Sequence, residues 1–318
     1  MITNTSILTP ESKIYVAGHS GLVGSAILRK LEEEGFSNLL TRTSAELDLQ
    51  DQDAVNSFFE KEKPEYVFLA AAKVGGILAN DSYPADFILT NLQIQTNVID
   101  AAYRNKVKKL MFFGTACIYP RECPQPIKED YLLTGPLEST NQWYAIAKIA
   151  GIKMCQAYRK QYGFNAICVM PNNLYGPGDN FDLETSHVLP ALIRKCHEAK
   201  IHNEKEFIVW GTGKPQRELL YVDDLADACL FLMHNYDSEE IINIGTGEDI
   251  TIADLAQMVK EIISFEGELK FDTSKPDGTP RKLLDISRLT EIGWQNKTSL
   301  REGILYTYEW AKTNLNLK

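Results

Sequence analysis

Short unbroken apolar runs alternate with helical stripes along the first half of this chain. Lys13–Ala17 reads as a buried strand, followed at once by glycines and then by a helix from about Leu22 to Glu34 that Gly35 ends. Asn38–Thr41 reads as a second strand. Asp51 or Asp53 opens the next helix, and Pro64 separates it from a strand at Tyr66–Leu69. Pro84 suits the first turn of a helix running to about Lys106. Lys109–Gly114 makes a fourth strand and Asn165–Met170 a fifth. Between them lie a loop with Pro120, Pro124, Pro126 and Pro136 and a helix from about Gln142 to Tyr162. Strand and helix in strict alternation predict an α/β fold with a doubly wound parallel sheet.

The regularity fades after Pro171. Val188–Lys200 reads as a helix, Phe207–Trp210 and Ile241–Ile244 as strands, and Asp223 or Asp224 is placed to cap a helix reaching His234. Thr251 caps a helix to about Ile263, and Ser299 with Glu302 makes a capping box for the last one. The expected organisation is a loose tail over 1–12, a main domain over 13–174 to which 222–246 returns, and a smaller α/β domain over 175–221 and 247–318.

Composition narrows the class. The 318 residues are 44% hydrophobic and 24% charged, an ordinary globular balance. No apolar run approaches the roughly 20 residues that cross a bilayer, and the first twelve residues lack the pattern of a secretory signal. A formal net charge of −10 argues against nucleic acid or membrane as a partner. The six cysteines (117, 123, 155, 168, 196, 229) show no metal-binding spacing, and a cytoplasmic, reducing compartment with free thiols is expected.

Chemistry enters at the first turn. Gly18-His19-Ser20-Gly21-Leu22-Val23-Gly24 links the first strand to the first helix. Glycines at that spacing allow a tight turn, close approach of backbone to a pyrophosphate, and close packing of helix on strand. The position between strand and helix predicts a Rossmann-type dinucleotide site. The second strand ends without the acidic residue that would hold a ribose 2′-hydroxyl. Arg42 lies there instead, which favours NADP over NAD. Asp48-Leu49 suits the adenine edge, although Asp48 could equally cap the next helix.

Tyr144 and Lys148 stand four apart at a helix start, so both side chains leave one face. An ammonium beside a phenol favours the phenolate, and a tyrosine so tuned exchanges protons with a carbonyl oxygen near neutral pH. Tyr308 and Lys312 have the same spacing, and there a solvated helix face is expected.

The glycine turn, Tyr144-x-x-x-Lys148 and Leu69-Ala70-Ala71-Ala72 together resemble the extended short-chain dehydrogenase/reductases. Gly114-Thr115-Ala116-Cys117-Ile118-Tyr119-Pro120, Asn173-Leu174-Tyr175-Gly176-Pro177, Ser186-His187-Val188-Leu189-Pro190 and Lys275-Pro276-Asp277-Gly278-Thr279-Pro280-Arg281-Lys282 resemble, more narrowly, the GDP-L-fucose synthases. That resemblance runs from about residue 13 to 312. It implies epimerisation of a GDP-4-keto-6-deoxymannose at C3 and C5, then reduction at C4 by NADPH. It implies that Tyr144 donates to the C4 oxygen, helped by Thr115 and Lys148, while Cys117 is the epimerisation base and His187 the acid. A thiol suits that task beside a cation. Cofactor contacts are implied at Phe113, Gly114, Ala116, Pro171, Asn172, Asn173, Leu174 and His187. Substrate contacts are implied at Lys195, Trp210, Arg217 and Asp277, and a homodimer is implied through the long helices near 84–106 and 142–162. Thr115 replaces a frequent serine, Ser20 a frequent arginine near the 2′-phosphate, Asn172 a threonine and Gly178 a histidine. A reductase of another GDP-4-keto sugar, such as a deoxyheptose, and a non-catalytic nucleotide sensor are the rival readings.

Overall fold

The computed structural model describes residues 8–183, 185–275 and 277–315, leaving aside the side chains of Ile77 and Leu78. In chain order the first half holds β1 (Ile14–Ala17), α1 (Leu22–Glu33), β2 (Leu39–Leu40), α2 (Gln52–Glu62), β3 (Tyr66–Leu69), α3 (Ile77–Ser82), α4 (Pro84–Arg104), β4 (Lys109–Phe113), α5 (Gln142–Tyr162) and β5 (Ala166–Pro171). The second half holds β6 (Asn173–Tyr175), α6 (Val188–Ile201), β7 (Glu206–Trp210), β8 (Gln216–Arg217), β9 (Leu219–Tyr221), α7 (Val222–Asn235), β10 (Ile242–Ile244), β11 (Ile250–Thr251), α8 (Ile252–Ile263), β12 (Glu268–Asp272), β13 (Arg281–Lys282), α9 (Ser287–Glu291) and α10 (Leu300–Asn314).

Six parallel strands form the central sheet in the order β10-β5-β4-β3-β1-β2. Both faces of this sheet are covered, which is why its strands read as unbroken apolar runs. Alternate residues go to opposite sides. Tyr15, Val67, Leu110 and Phe112 pack under α2, α4 and α5 with Phe59, Val98 and Ile152. Ile14, Val16, Phe68 and Met111 pack under α1 and α7 with Ile27, Leu31, Leu225 and Leu232. A third core gathers Leu192 and Ile193 of α6, Leu255 and Val259 of α8, and Ile304 and Tyr308 of α10. Three small sheets, β11-β8-β13, β12-β7 and β6-β9, belong to the later segments.

Local signals act where the side chains allow. Asp51 accepts from the Asp53 and Ala54 amides and starts α2, Thr251 caps α8, and the Ser299–Glu302 capping box is complete. Three expectations are corrected. The tail expected to be loose is packed over 8–12: Leu8 and Ser12 are buried, and Pro10 accepts from the Ser37 amide; residues 1–7 lie outside the described ones. Helix α7 starts from Tyr221, not from Asp223 or Asp224. Asp223 pairs instead with Arg29, and Asp224 accepts from the Thr298 amide and hydroxyl. Tyr308 is not on a solvated face: it is buried, its hydroxyl 2.9 Å from Nδ1 of His197.

Candidate active site

The turn after β1 fits a dinucleotide. Gly18 has φ +85°, and a Cβ there would come 2.7 Å from the Ala71 amide nitrogen. A Cβ on Gly24 would overlap the Gly18 carbonyl. Both glycines are therefore demanded by the protein's own packing. Gly21 is different: its Cβ would make only ordinary contact, at 3.6 Å. It caps α1 with no side-chain acceptor, and no acidic residue stands in the first helical turn. The amides there are left for an anion, and Leu22 and Val23 open the helix behind them. Nδ1 of His19 is buried with no protein partner, and Ser20 is exposed.

Arg42, expected near a 2′-phosphate, donates to the Thr41 carbonyl at 2.7 Å and pairs with Glu62 at 3.1 Å. Asp48 is exposed and accepts from the Gln50 amide, so Asp51, not Asp48, is the helix cap. Leu49 packs partly against the core. At the carboxyl end of β4, the Phe113 carbonyl accepts from Lys148 Nζ at 2.8 Å. A Cβ on Gly114 would run into the Met170 side chain. Beyond β5, the Asn172 amide donates to the Ile244 carbonyl and Asn173 Nδ2 donates to the Glu218 carbonyl at 2.8 Å, which positions Pro171 to Leu174.

Tyr144 and Lys148 leave the same face of α5, with the Lys148 ammonium 5.8 Å from the Tyr144 ring centre. Lys148 is 3% exposed, and burial lowers its pKa to about 8. The expected acidification of Tyr144 is overturned. Burial pushes its phenol well above the ordinary range, and the Cys117 sulfur nearby adds to the rise. Tyr144 keeps part of its surface open even though protein crowds it. Its ring meets Phe87 edge-on at 6.4 Å. Desolvation is the largest cause of the rise, and the Lys148 ammonium is turned to the Phe113 carbonyl.

Thr115 caps the short turn Ala116–Ile118, its Oγ1 accepting from the Cys117 amide at 3.3 Å. This turn sets Cys117, which is partly open, beside Tyr144. The Lys282 ammonium stands 3.5 Å from Cys117 Sγ. His187 is the N-cap residue of α6 but makes no side-chain cap. Its side chain is open on one side, yet enough protein surrounds it that burial lowers its pKa. The preceding stretch is close to the loop after β3: a Cβ on Gly76 would come 3.3 Å from the Thr185 carbonyl.

Four expected substrate residues form one group. Lys195 Nζ lies 4.0 Å from the centre of the Trp210 ring, which is half exposed. Asp277 accepts from the Thr212 amide at 2.8 Å and hydroxyl at 2.7 Å, two residues beyond Trp210. Arg217 donates to the Thr279 carbonyl at 2.6 Å, and its charge lowers the Asp277 pKa after the Thr212 hydrogen bonds have done most of that work. Pro276 lies outside the described residues. Strand β13 pairs with β8 so that Lys282 is opposite Arg217, which connects this group to Cys117.

Sequence reasoning missed two residues. Lys282 was only one cation in a matched run, and 165 positions separate it from Cys117. Glu218 carried no motif. It is fully buried, accepts from the Thr246, Gly247 and Leu284 amides and from Asn172, and its backbone amide donates to the Lys282 carbonyl.

The profile of the "NAD dependent epimerase/dehydratase family" matches residues 14–245. The chain is 62% identical over 311 residues to GDP-L-fucose synthase 1 of Arabidopsis thaliana, covering 98% of this chain and 96% of that protein. Among solved structures it is similar to a GDP-L-fucose synthetase from Naegleria fowleri bound to NADP, with a TM-score of 0.90 and 32% identity over 98% of this chain and 97% of that one. It is also similar to a GDP-6-OMe-4-keto-L-xylo-heptose reductase from C. jejuni, with a TM-score of 0.91 and 44% identity over 96% of this chain and 99% of that one.

Proposed function

The chain belongs to the NAD dependent epimerase/dehydratase family, among its GDP-L-fucose synthases, and we propose how its residues share that work. It converts GDP-4-keto-6-deoxy-D-mannose to GDP-L-fucose with NADPH. The observation that carries the assignment of roles is the placing of Cys117 beside Tyr144, with Lys148 on the same helix face as the tyrosine. In this reading two proton-exchanging units serve one sugar ring.

C3 and C5 both adjoin the C4 ketone, so loss of a proton from either gives an enolate on one oxygen. Tyr144 and Thr115 hold that oxygen through both epimerisations and as the alkoxide forms. At each carbon Cys117 takes one proton and His187 delivers one to the opposite face. The raised phenol favours this sequence, because Tyr144 stays protonated and able to donate. The Gly18–Gly24 turn would hold NADPH, which would supply the hydride. Arg42, Asp48, Phe113–Ala116 and Pro171–Leu174 complete its site in this proposal. Lys195, Arg217, Trp210 and Asp277 hold the GDP-sugar, cations and a flat ring suiting diphosphate and base.

The main domain over 13–174 with 222–246 would carry the cofactor, and the later segments the substrate. Location in the cytoplasm is consistent with six free cysteines, and a homodimer through α4 and α5 with exposed Leu89, Trp143 and Ile146. Light scattering tests the dimer. The catalytic reading is tested by proton NMR in deuterium oxide without NADPH: C3 and C5 should exchange, and Cys117→Ser should stop it. With NADPH, Tyr144→Phe should cut turnover about 10²-fold or more. Unchanged turnover would remove Tyr144 from its role. The likeness to a heptose reductase favours a second reading, C4 reduction alone, for which wild-type protein would show no exchange.

A further inference from the structure

We propose that Lys282 is the positioning residue that holds Cys117 as the thiolate, so that it serves the epimerisations and not the hydride transfer. This deepens the reading above and rests on it for the substrate. The ammonium is 3.5 Å from Cys117 Sγ and reaches it from a different part of the chain. Among the described residues, Lys282 from β13 and the Tyr144 phenol from α5 interact with the sulfur. Cys123 also feels the Lys282 charge. Tyr144, protonated, brings no compensating cation.

The lysine is aimed by its strand. Its carbonyl accepts from the Glu218 amide at 3.3 Å and from Asn172 Nδ2 at 3.4 Å. Leu284, two residues on, donates its amide to the Glu218 carboxylate at 2.9 Å. The neighbouring cation is tied up: Arg281 pairs with Asp249 at 2.5 Å, whereas among the described residues no carboxylate pairs with Lys282. Asn172 is thus part of the brace that sets this lysine.

The step balances without any further reagent. The C–H bond at C3 or C5 breaks, its proton forms S–H on Cys117, and the electron pair moves to the C4 oxygen. Lys282 compensates the charge of the sulfur before transfer and keeps its own proton throughout.

The test is iodoacetamide alkylation of Cys117 as a function of pH, read site by site by mass spectrometry in wild type, Lys282→Met and Lys282→Arg. The methionine variant should react about tenfold more slowly at pH 7, with its half-maximal rate at higher pH, and arginine should restore most of the rate. Deuterium exchange at C3 and C5 should fall in parallel as a loss of kcat that rising pH recovers. NADPH oxidation with a ketone already inverted at both carbons should fall much less. Coincident alkylation profiles for wild type and Lys282→Met would overturn the inference, as would an effect confined to KM. Wild-type protein without exchange would sink the functional reading, while alkylation would still decide the Lys282–Cys117 pair.

Discussion

Lys148→Met should make the protein more stable at neutral pH while removing its reductase activity. The lysine is 3% exposed and its pKa is lowered from 10.5 to about 8, because burial disfavours the charged form. At about 1.4 kcal/mol per pH unit, that gap places a penalty of about 3 kcal/mol on the folded state at pH 7, where both folded and unfolded chains carry the proton. Methionine fills a similar volume without the charge. It also removes the hydrogen bond to the Phe113 carbonyl, which costs about 1 kcal/mol. The expected net gain at pH 7 is about 2 kcal/mol. Between pH 8 and 10.5 the unfolded chain binds more protons at this site than the folded one, so wild-type stability rises relative to the variant. By pH 10.5 the advantage should have vanished or reversed. Urea unfolding at pH 7, 8, 9 and 10, followed by fluorescence of the four tryptophans, measures the difference directly. A variant less stable at pH 7, by an amount that does not change with pH, would refute the reasoning.

The glycine turn separates packing from binding: Gly24→Ala should cost more than about 2 kcal/mol, because its Cβ would overlap the Gly18 carbonyl, whereas Gly21→Ala should leave the melting temperature nearly unchanged and weaken NADPH binding in titration calorimetry. Glu218→Gln puts an amide NH₂ among donors that now share a carboxylate, so thermal unfolding should show a loss of about 2–5 kcal/mol. Lys195→Met should raise KM for the GDP-sugar about tenfold with little change in kcat, and reduce the salt dependence of kcat/KM.

The central sheet was legible because its code is local. Ile14–Ala17, Tyr66–Leu69 and Lys109–Phe113 are short apolar runs, and a strand buried on both faces has no other appearance. Asp51, Thr251 and the Ser299–Glu302 pair act on amides two or three residues away, so the last two caps could be read directly and the first narrowed to Asp51 or Asp53. The two-residue strands β8, β11 and β13 were missed, since pairing so short exists only through its neighbours. Tyr308 shows the same limit from the other side. A solvated helix face was expected for its Tyr-x-x-x-Lys pair, but packing of α10 on α6 buries it against His197.

Taken alone, the sequence determined the strand and helix order, because a buried strand and a helical stripe are set by local backbone geometry; glycine spacing predicted the turn after β1, and the side chains proposed for proton chemistry were pointed to by helical spacing at Tyr144 and Lys148 and by family resemblance at Cys117 and His187. Only the tertiary structure decided the electrostatics. It buries Tyr144 so that its phenol rises where the helical spacing with Lys148 suggested a fall, and it turns the ammonium to the Phe113 carbonyl. It also carries Lys282 across 165 positions to Cys117. Desolvation and charge–charge distance depend on which distant segments meet, and no local pattern encodes that meeting.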